Sequence, residues 1–104
     1  MLAKTEVIIP RRDNDGSDNS PIIQTAIARM CELFGGVTVF EAKGYWISDV
    51  SGFMADDVAV LQSAKIQSSE TREALRTLAK MVLDSTDQEA VFISDADGAE
   101  IVER

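Results

Sequence analysis

An α+β two-layer sandwich of the ferredoxin-like, split β-α-β kind is the fold this sequence predicts, with an antiparallel sheet and two helices on one face. Three observations predict it. Two segments carry apolar residues at three- and four-residue spacing. Short β-branched runs stand before, between and after them. The resulting order, β–α–β(β)–β–α–β(β), is one that right-handed crossovers close naturally.

Residues 5–9 (TEVII) are short, β-branched and apolar, and read as the first strand, which Pro10 ends or marks as an edge. The stretch RRDNDGSDNSP follows. Ser20 is a good N-cap residue and Pro21 suits the first helical position, where its missing N–H costs nothing. Ile22, Ile23, Ala26, Ile27, Met30, Leu33 and Phe34 form one apolar face, and Gly35-Gly36 supplies a stop, so a helix is expected over 21–34.

Residues 37–42 are β-rich, Lys43-Gly44 reads as a turn, and Tyr45, Trp46 and Ile47 begin a second arm. The segment DVSGFMADD reads as a loop and residues 58–66 as the next strand. Ser68 and Ser69 cap a second helix with Glu70 and Glu73 in its first turn, where acids suit the helix dipole. Its inward face is Ala74, Leu75, Leu78, Ala79 and Val82, while Arg72, Arg76 and Lys80 make a basic outer stripe, expected to be solvated. Residues 90–94 and 100–103 are two final β runs joined by a DADGA turn. The face opposite the helices is expected to carry some of Val39, Tyr45, Trp46, Val60 and Phe92, and to invite a second copy of the chain.

The segment ELFGGVTVFEAKGYWISDVSG resembles the core of a small uncharacterised bacterial α+β domain family, with its G-[LV]-T-V…G-x-W pattern at Gly36, Val37, Thr38, Val39, Gly44 and Trp46. The resemblance implies the same hairpin-bearing fold and brings no activity with it.

The 104 residues suit a single domain over 1–104, and 45% hydrophobic with 27% charged residues is ordinary globular composition. No apolar run approaches the roughly 20 residues of a membrane span, and the N-terminus does not read as a signal peptide. A soluble, cytoplasmic protein is expected. The lone Cys31 cannot form an internal disulfide, suits a reducing compartment, and reads as a small buried hydrophobe. Net charge is −8, with −2 in residues 1–52 and −6 in residues 53–104. That balance argues against nucleic acid as a partner and leaves room for a basic protein or for mimicry of a nucleic acid.

Chemistry is sparse. With no histidine, the commonest acid–base residue and metal ligand is missing, and histidine-dependent triads are excluded. No dinucleotide or P-loop glycine pattern is present, and no cofactor is expected. Two D-x-D-G units, Asp13–Gly16 and Asp95–Gly98, resemble the start of a calcium loop, but positions six and twelve of the first are Asp18 and Gln24 where Gly and Glu are required. The units follow strands that run antiparallel, so they fall at opposite ends of the sheet, and both read as turns with no metal. Arg11 and Arg12 near a helix entrance can hold an anion, yet the neighbouring Asp13, Asp15 and Asp18 offer internal partners. Two places remain for contact with something else. One is the Arg11, Arg12, Asp13, Asp15 loop, longer than a β-to-α turn requires. The other is Tyr45, Trp46, Phe53 and Met54, an aromatic cluster suited to an interface or ligand groove. The expected function is a non-enzymatic acidic interaction module, self-associating as a homodimer. A ligand-binding regulatory domain and an acidic nucleic-acid-mimicking inhibitor are the alternatives.

Overall fold

The computed structural model describes residues 2–66 and 68–104. The chain runs β1 (Leu2–Pro10), α1 (Ser20–Phe34), β2 (Thr38–Ser48), β3 (Gly52–Ile66), α2 (Ser69–Ser85), β4 (Ala90–Asp95) and β5 (Gly98–Glu103). The strands make one antiparallel sheet in the order β2-β3-β1-β4-β5. β1 is therefore central, consistent with its buried Thr5, Val7 and Ile9.

Two-residue alternation divides the sheet cleanly. Val7 and Ile9 of β1, Ala59 and Leu61 of β3, and Val91 and Ile93 of β4 point to one side. There they pack with Ile23, Ala26 and Met30 of α1 and Leu75, Leu78, Ala79, Val82 and Leu83 of α2 in one core cluster. None of the described helices is long and apolar enough to cross a membrane.

Both helices form where their apolar spacing places them, and their ends show why. Gly35 takes φ 86°, and its N–H bonds the Cys31 carbonyl, closing α1 with a left-handed residue that glycine adopts without strain. At the other end the helix begins one residue earlier than the cap reading requires: Ser20 is already helical, and Asp18 Oδ1 accepts from its N–H at 2.9 Å. α2 starts as expected, with Ser68 Oγ accepting from the Thr71 N–H. Cys31, expected inside, is exposed on α1.

The largest departure lies in the middle. Lys43-Gly44 is not a turn. β2 runs straight through it, and β3 pairs with it from Thr38↔Gln62 to Ser48↔Gly52, so the expected loop over 49–57 is mostly strand. The true turn is 49–51, with Gly52 at φ 75°. A Cβ added at Gly44 would meet Val58 only at ordinary contact distance, so the ladder does not demand a glycine there. The outcome is a long two-stranded arm reaching past the helices, which gives the molecule its 42 Å long axis.

Of the basic outer stripe of α2, Lys80 is exposed as expected, but Arg72 and Arg76 are tied to the β4–β5 hairpin. Arg72 reaches over the sheet edge to Asp95, with Nη2 2.6 Å from Oδ1 and Nε 2.9 Å from Oδ2, and its Nη1 meets Glu100 at 3.1 Å. Arg76 joins Glu100 to Glu73. The DADG unit at Asp95 is thus an anchor for α2 as well as a turn. Each guanidinium is held more firmly protonated by these carboxylates. Burial alone would raise the Glu100 carboxyl, but the hydrogen bonds from Arg76 and Arg72 bring it below its ordinary value.

Candidate functional site

Both helices cover one face, and no element among the described residues lies over the other face of the sheet. Its middle is apolar across all five strands. Pairing puts Phe40, Val60, Ile8, Phe92 and Ile101 in one cross-strand row. The row two residues away, Thr38, Gln62, Glu6, Ser94 and Ala99, is polar apart from its last member. On the opposite flank of the apolar row the β2–β3 arm rises, and its open side carries Trp46 opposite Met54, and Gly44 opposite Asp56.

A groove of about 630 Å³ lies between this arm and the end of the sheet. Ile8, Pro10, Phe92 and Ile101 form its apolar floor, Trp46 and Asp56 one side, and Asn14, Gln88 and Glu89 the other. That volume is within the range of small-molecule sites. Trp46 is 41% exposed and Ile101 61%, so their apolar surface is available to a ligand.

Asp56 is the unusual group. Partial burial lifts its pKa above the ordinary carboxylate value, and the charge of the adjacent Asp57 adds to the effect. No salt bridge with a cation reaches it among the described residues. Lys43 bonds Asp57 instead, lowering that carboxyl and leaving Asp56 to its groove. A half-desolvated carboxylate beside an indole, above an apolar floor, is suited to a cation with apolar substituents.

The polar side of the groove comes from two loops tied together. In the 11–19 loop, Asp13 accepts from Asn19 Nδ2 at 2.8 Å, from Gln88 Nε2 at 3.1 Å and from the Asp87 N–H at 3.0 Å. Burial would raise its pKa, but these bonds outweigh it and hold the carboxyl low. Asp87 in turn accepts from the N–H groups of Asn14 and Asp15 at 3.0 and 3.2 Å. Asp15 is also held low, by Ser17. Carboxylate oxygens of Asp13, Asp15 and Asp87 lie within 4.8 Å of one another. Each already accepts from protein N–H groups, which is the means by which three like charges are kept together.

The expected site residues are therefore redistributed. Trp46 and Met54 share the open side of the arm, whereas Tyr45 and Phe53 stack on its other side with ring centroids 5.6 Å apart. The aromatic cluster is two pairs on two faces. Arg11 pairs with Glu41, not with the aspartates of its loop, and Arg12 donates to the Gly16 carbonyl. Asp13 and Asp15 are engaged within the chain itself, in the loop-to-loop bonds with Asp87. Asp95 and Asp13 lie at opposite ends of the sheet, as the antiparallel order of β1 and β4 requires. On the open face, Trp46, Val60 and Phe92 are where expected, while Val39 packs against the core instead. Asp56, Asn14, Gln88 and Glu89 carried no signal in the sequence; only the strand register and the loop contact bring them together.

No protein-family model and no curated protein sequence matches the chain. Two solved structures match its fold. A phage SAM lyase in complex with S-methyl-5'-thioadenosine superposes with a TM-score of 0.78 at 9% identity, over 99% of this chain and 90% of that one. A phage SAM lyase in its apo state gives 0.73 at 10% identity, over 98% and 89%. The likeness is one of fold. It overturns the expectation of a non-enzymatic interaction module, and with it the acidic nucleic-acid mimic and the purely regulatory ligand-binding domain, because both of these solved chains that share the fold are enzymes. That expectation rested on the missing histidine and on the absence of cofactor and metal motifs, which exclude the chemistry those residues support and nothing wider. Similarity extends over nearly the whole of both chains, and it ends where a family could be assigned.

Proposed function

We propose that the chain is a lyase acting on S-adenosylmethionine, with the groove between the β2–β3 arm and the open sheet face as its active site. The single observation that carries the reading is Asp56, a partly buried carboxylate with no salt bridge among the described residues, beside Trp46 in a groove of suitable volume. The substrate is a sulfonium, a fixed cation with three carbon substituents, which a carboxylate and an aromatic face both attract. The likeness to the phage SAM lyases supports the same reading. The fold itself reads as ferredoxin-like: the order β2-β3-β1-β4 with two crossover helices is the split β-α-β arrangement, with β5 added at one edge.

The chemistry fits a chain without histidine. The substrate's own α-carboxylate oxygen attacks Cγ of its aminobutyryl arm. The S–Cγ bond breaks and its electron pair stays on sulfur. S-methyl-5'-thioadenosine leaves as a neutral thioether and the remaining arm closes as a lactone. Charge is conserved and no proton moves, so no general base is needed. The protein's part is to bend the arm into a near-attack conformer and keep water away, which the apolar floor of Ile8, Phe92 and Ile101 suits. Asp56 orients the sulfonium and neutralises it during binding. The exposed apolar side chains of the arm, among them Ile47 at 80% and Phe53 at 73%, support self-association as part of the reading.

The test is incubation with S-adenosylmethionine and product analysis by mass spectrometry. Equal amounts of S-methyl-5'-thioadenosine and a lactone are expected. A carboxylate about 5 Å from the sulfonium is worth about 3 kcal/mol at an effective dielectric near 20. Discounted by half for solvent, that predicts about a ten-fold loss of kcat/KM in Asp56→Asn. Absence of S-methyl-5'-thioadenosine with the folded wild type sinks the proposal, and full activity in Asp56→Asn removes that residue's role.

A further inference from the structure

The two loops that wall the groove are bonded to each other more completely than either is to the sheet. Asp13 accepts the N–H of Asp87, and Asp87 accepts the N–H groups of Asn14 and Asp15, so each aspartate caps the backbone of the other's loop. The bonds bridge residues more than seventy positions apart. The outer side of the 86–89 connection is fixed as well, since Arg104 Nη2 donates to the carbonyls of Thr86 and Gln88 at 2.8 and 2.6 Å. Asn14 and Gln88, the residues held in this way, line the groove together with Asp56 and Glu89.

We infer that Asp13 and Asp87 form a latch that sets the position of Asn14 and Gln88 on the groove wall, and so are positioning residues for whatever the groove binds. The structural consequences differ from those of an ordinary loop contact. Gln88 Nε2 is aimed by Asp13 Oδ1, and Asn14 Nδ2 reaches the Asp87 carbonyl at 3.5 Å. Cutting the latch frees both amides to rotate, and lets the 11–19 loop move off the groove while the core stays packed. Its ends are held separately, by Arg11 N–H to the Asp57 carbonyl and by the Asn19 N–H to the Arg11 carbonyl. The part of the inference that concerns ligand affinity rests on the groove being the site proposed above; the part that concerns groove geometry does not.

Trp46 makes the second part measurable without any ligand, because it is the chain's one tryptophan and it lies in the same groove. The experiment compares wild type, Asp87→Ala, Asp87→Asn and Asp13→Asn. Three readouts are taken: acrylamide quenching of Trp46 fluorescence, cooperative thermal unfolding, and affinity for S-methyl-5'-thioadenosine by calorimetry. The expected result is quenching in Asp87→Ala raised about two-fold with unfolding still cooperative, and affinity weakened about ten-fold, the order of loss when about one hydrogen bond to the ligand is misaligned. Asp87→Asn keeps one acceptor oxygen and is expected to restore part of both. If Asp87→Ala does not fold, Asp13→Asn carries the test. It keeps the side-chain volume but turns one acceptor into a donor facing another donor. A folded variant with wild-type quenching overturns the latch. Raised quenching in a chain that never binds the thioadenosine upholds the latch and overturns the site assignment instead. Raised quenching with unchanged affinity overturns the positioning role.

Discussion

Replacing Arg72 by leucine tests how α2 is attached to the sheet. The Arg72 side chain is 17% exposed and that of Asp95 is 0%. Between them run two parallel hydrogen bonds, and Arg72 also donates to the Gly98 carbonyl at 2.7 Å. Removing one partner of a buried pair costs about 3–5 kcal/mol, because a carboxylate is left desolvated without its cation. Here the Asp97 N–H still donates to Asp95 Oδ1 at 2.8 Å, and the guanidinium lies at the rim. The loss is accordingly about 2–3 kcal/mol, or about 10–15 °C in Tm for a chain of this size. The assay is urea unfolding at pH 7 followed by far-ultraviolet circular dichroism. Lys80→Ala, on the exposed part of the same helix, serves as the reference and is expected to change stability by less than about 0.5 kcal/mol. The double variant Arg72→Leu with Asp95→Leu is expected to recover most of the loss, since apolar residues replace a buried pair without an unmatched charge. If Arg72→Leu and Lys80→Ala are indistinguishable, the ion pair contributes nothing and the stripe is solvated surface after all.

Three further outcomes are expected. Ser68→Ala removes the oxygen that caps the Thr71 N–H, and should lower stability by about 1 kcal/mol without altering the groove, checked by Tm alongside Trp46 emission. Acid titration should show opposing contributions: Glu100 and Asp13 have folded values below their ordinary 4.5 and 3.8, so the stability they supply is complete above those values and is lost as pH falls through the depressed ones. Asp56, raised in the folded state, acts in the opposite sense, so Asp56→Asn should keep or raise Tm at pH 7 while activity falls; a drop in Tm there would show that its charge is stabilised by a partner.

Much of the fold was legible because it depends on local rules. Apolar residues at three- and four-residue spacing, with a left-handed glycine at Gly35 and a serine cap at Ser68, are enough to define both helices. The arm was misread because Lys43-Gly44 and Gly52 look alike as turn signals. Which glycine turns the chain is decided by pairing over eleven residues, and the long ladder from Thr38 to Ser48 outweighs the local preference. The α2 stripe was misread for a similar reason. Charged residues at four-residue spacing describe a solvated face only when nothing stands beside it, and the β4–β5 hairpin that carries Asp95 and Glu100 does.

The site was less legible than the fold because no one segment contains it. Trp46 and Asp56 meet only through the register of the β2–β3 ladder, which alternation then splits from Tyr45 and Phe53. Asn14 and Gln88 meet only because Asp13 and Asp87 bond across the chain. A search for acid–base residues could not find them either, since the displacement we propose for the groove moves no proton and leaves no nucleophile or histidine to look for. What such a reaction requires is a dry floor, a desolvated anion and aligned amides. In a sequence these are an isoleucine, an aspartate and a glutamine like any others. The one feature that points toward them is the two-layer fold: with two helices on the same side, no described element covers Ile8, Phe92 and Ile101, and an apolar row left open across five strands is where a ligand is to be sought.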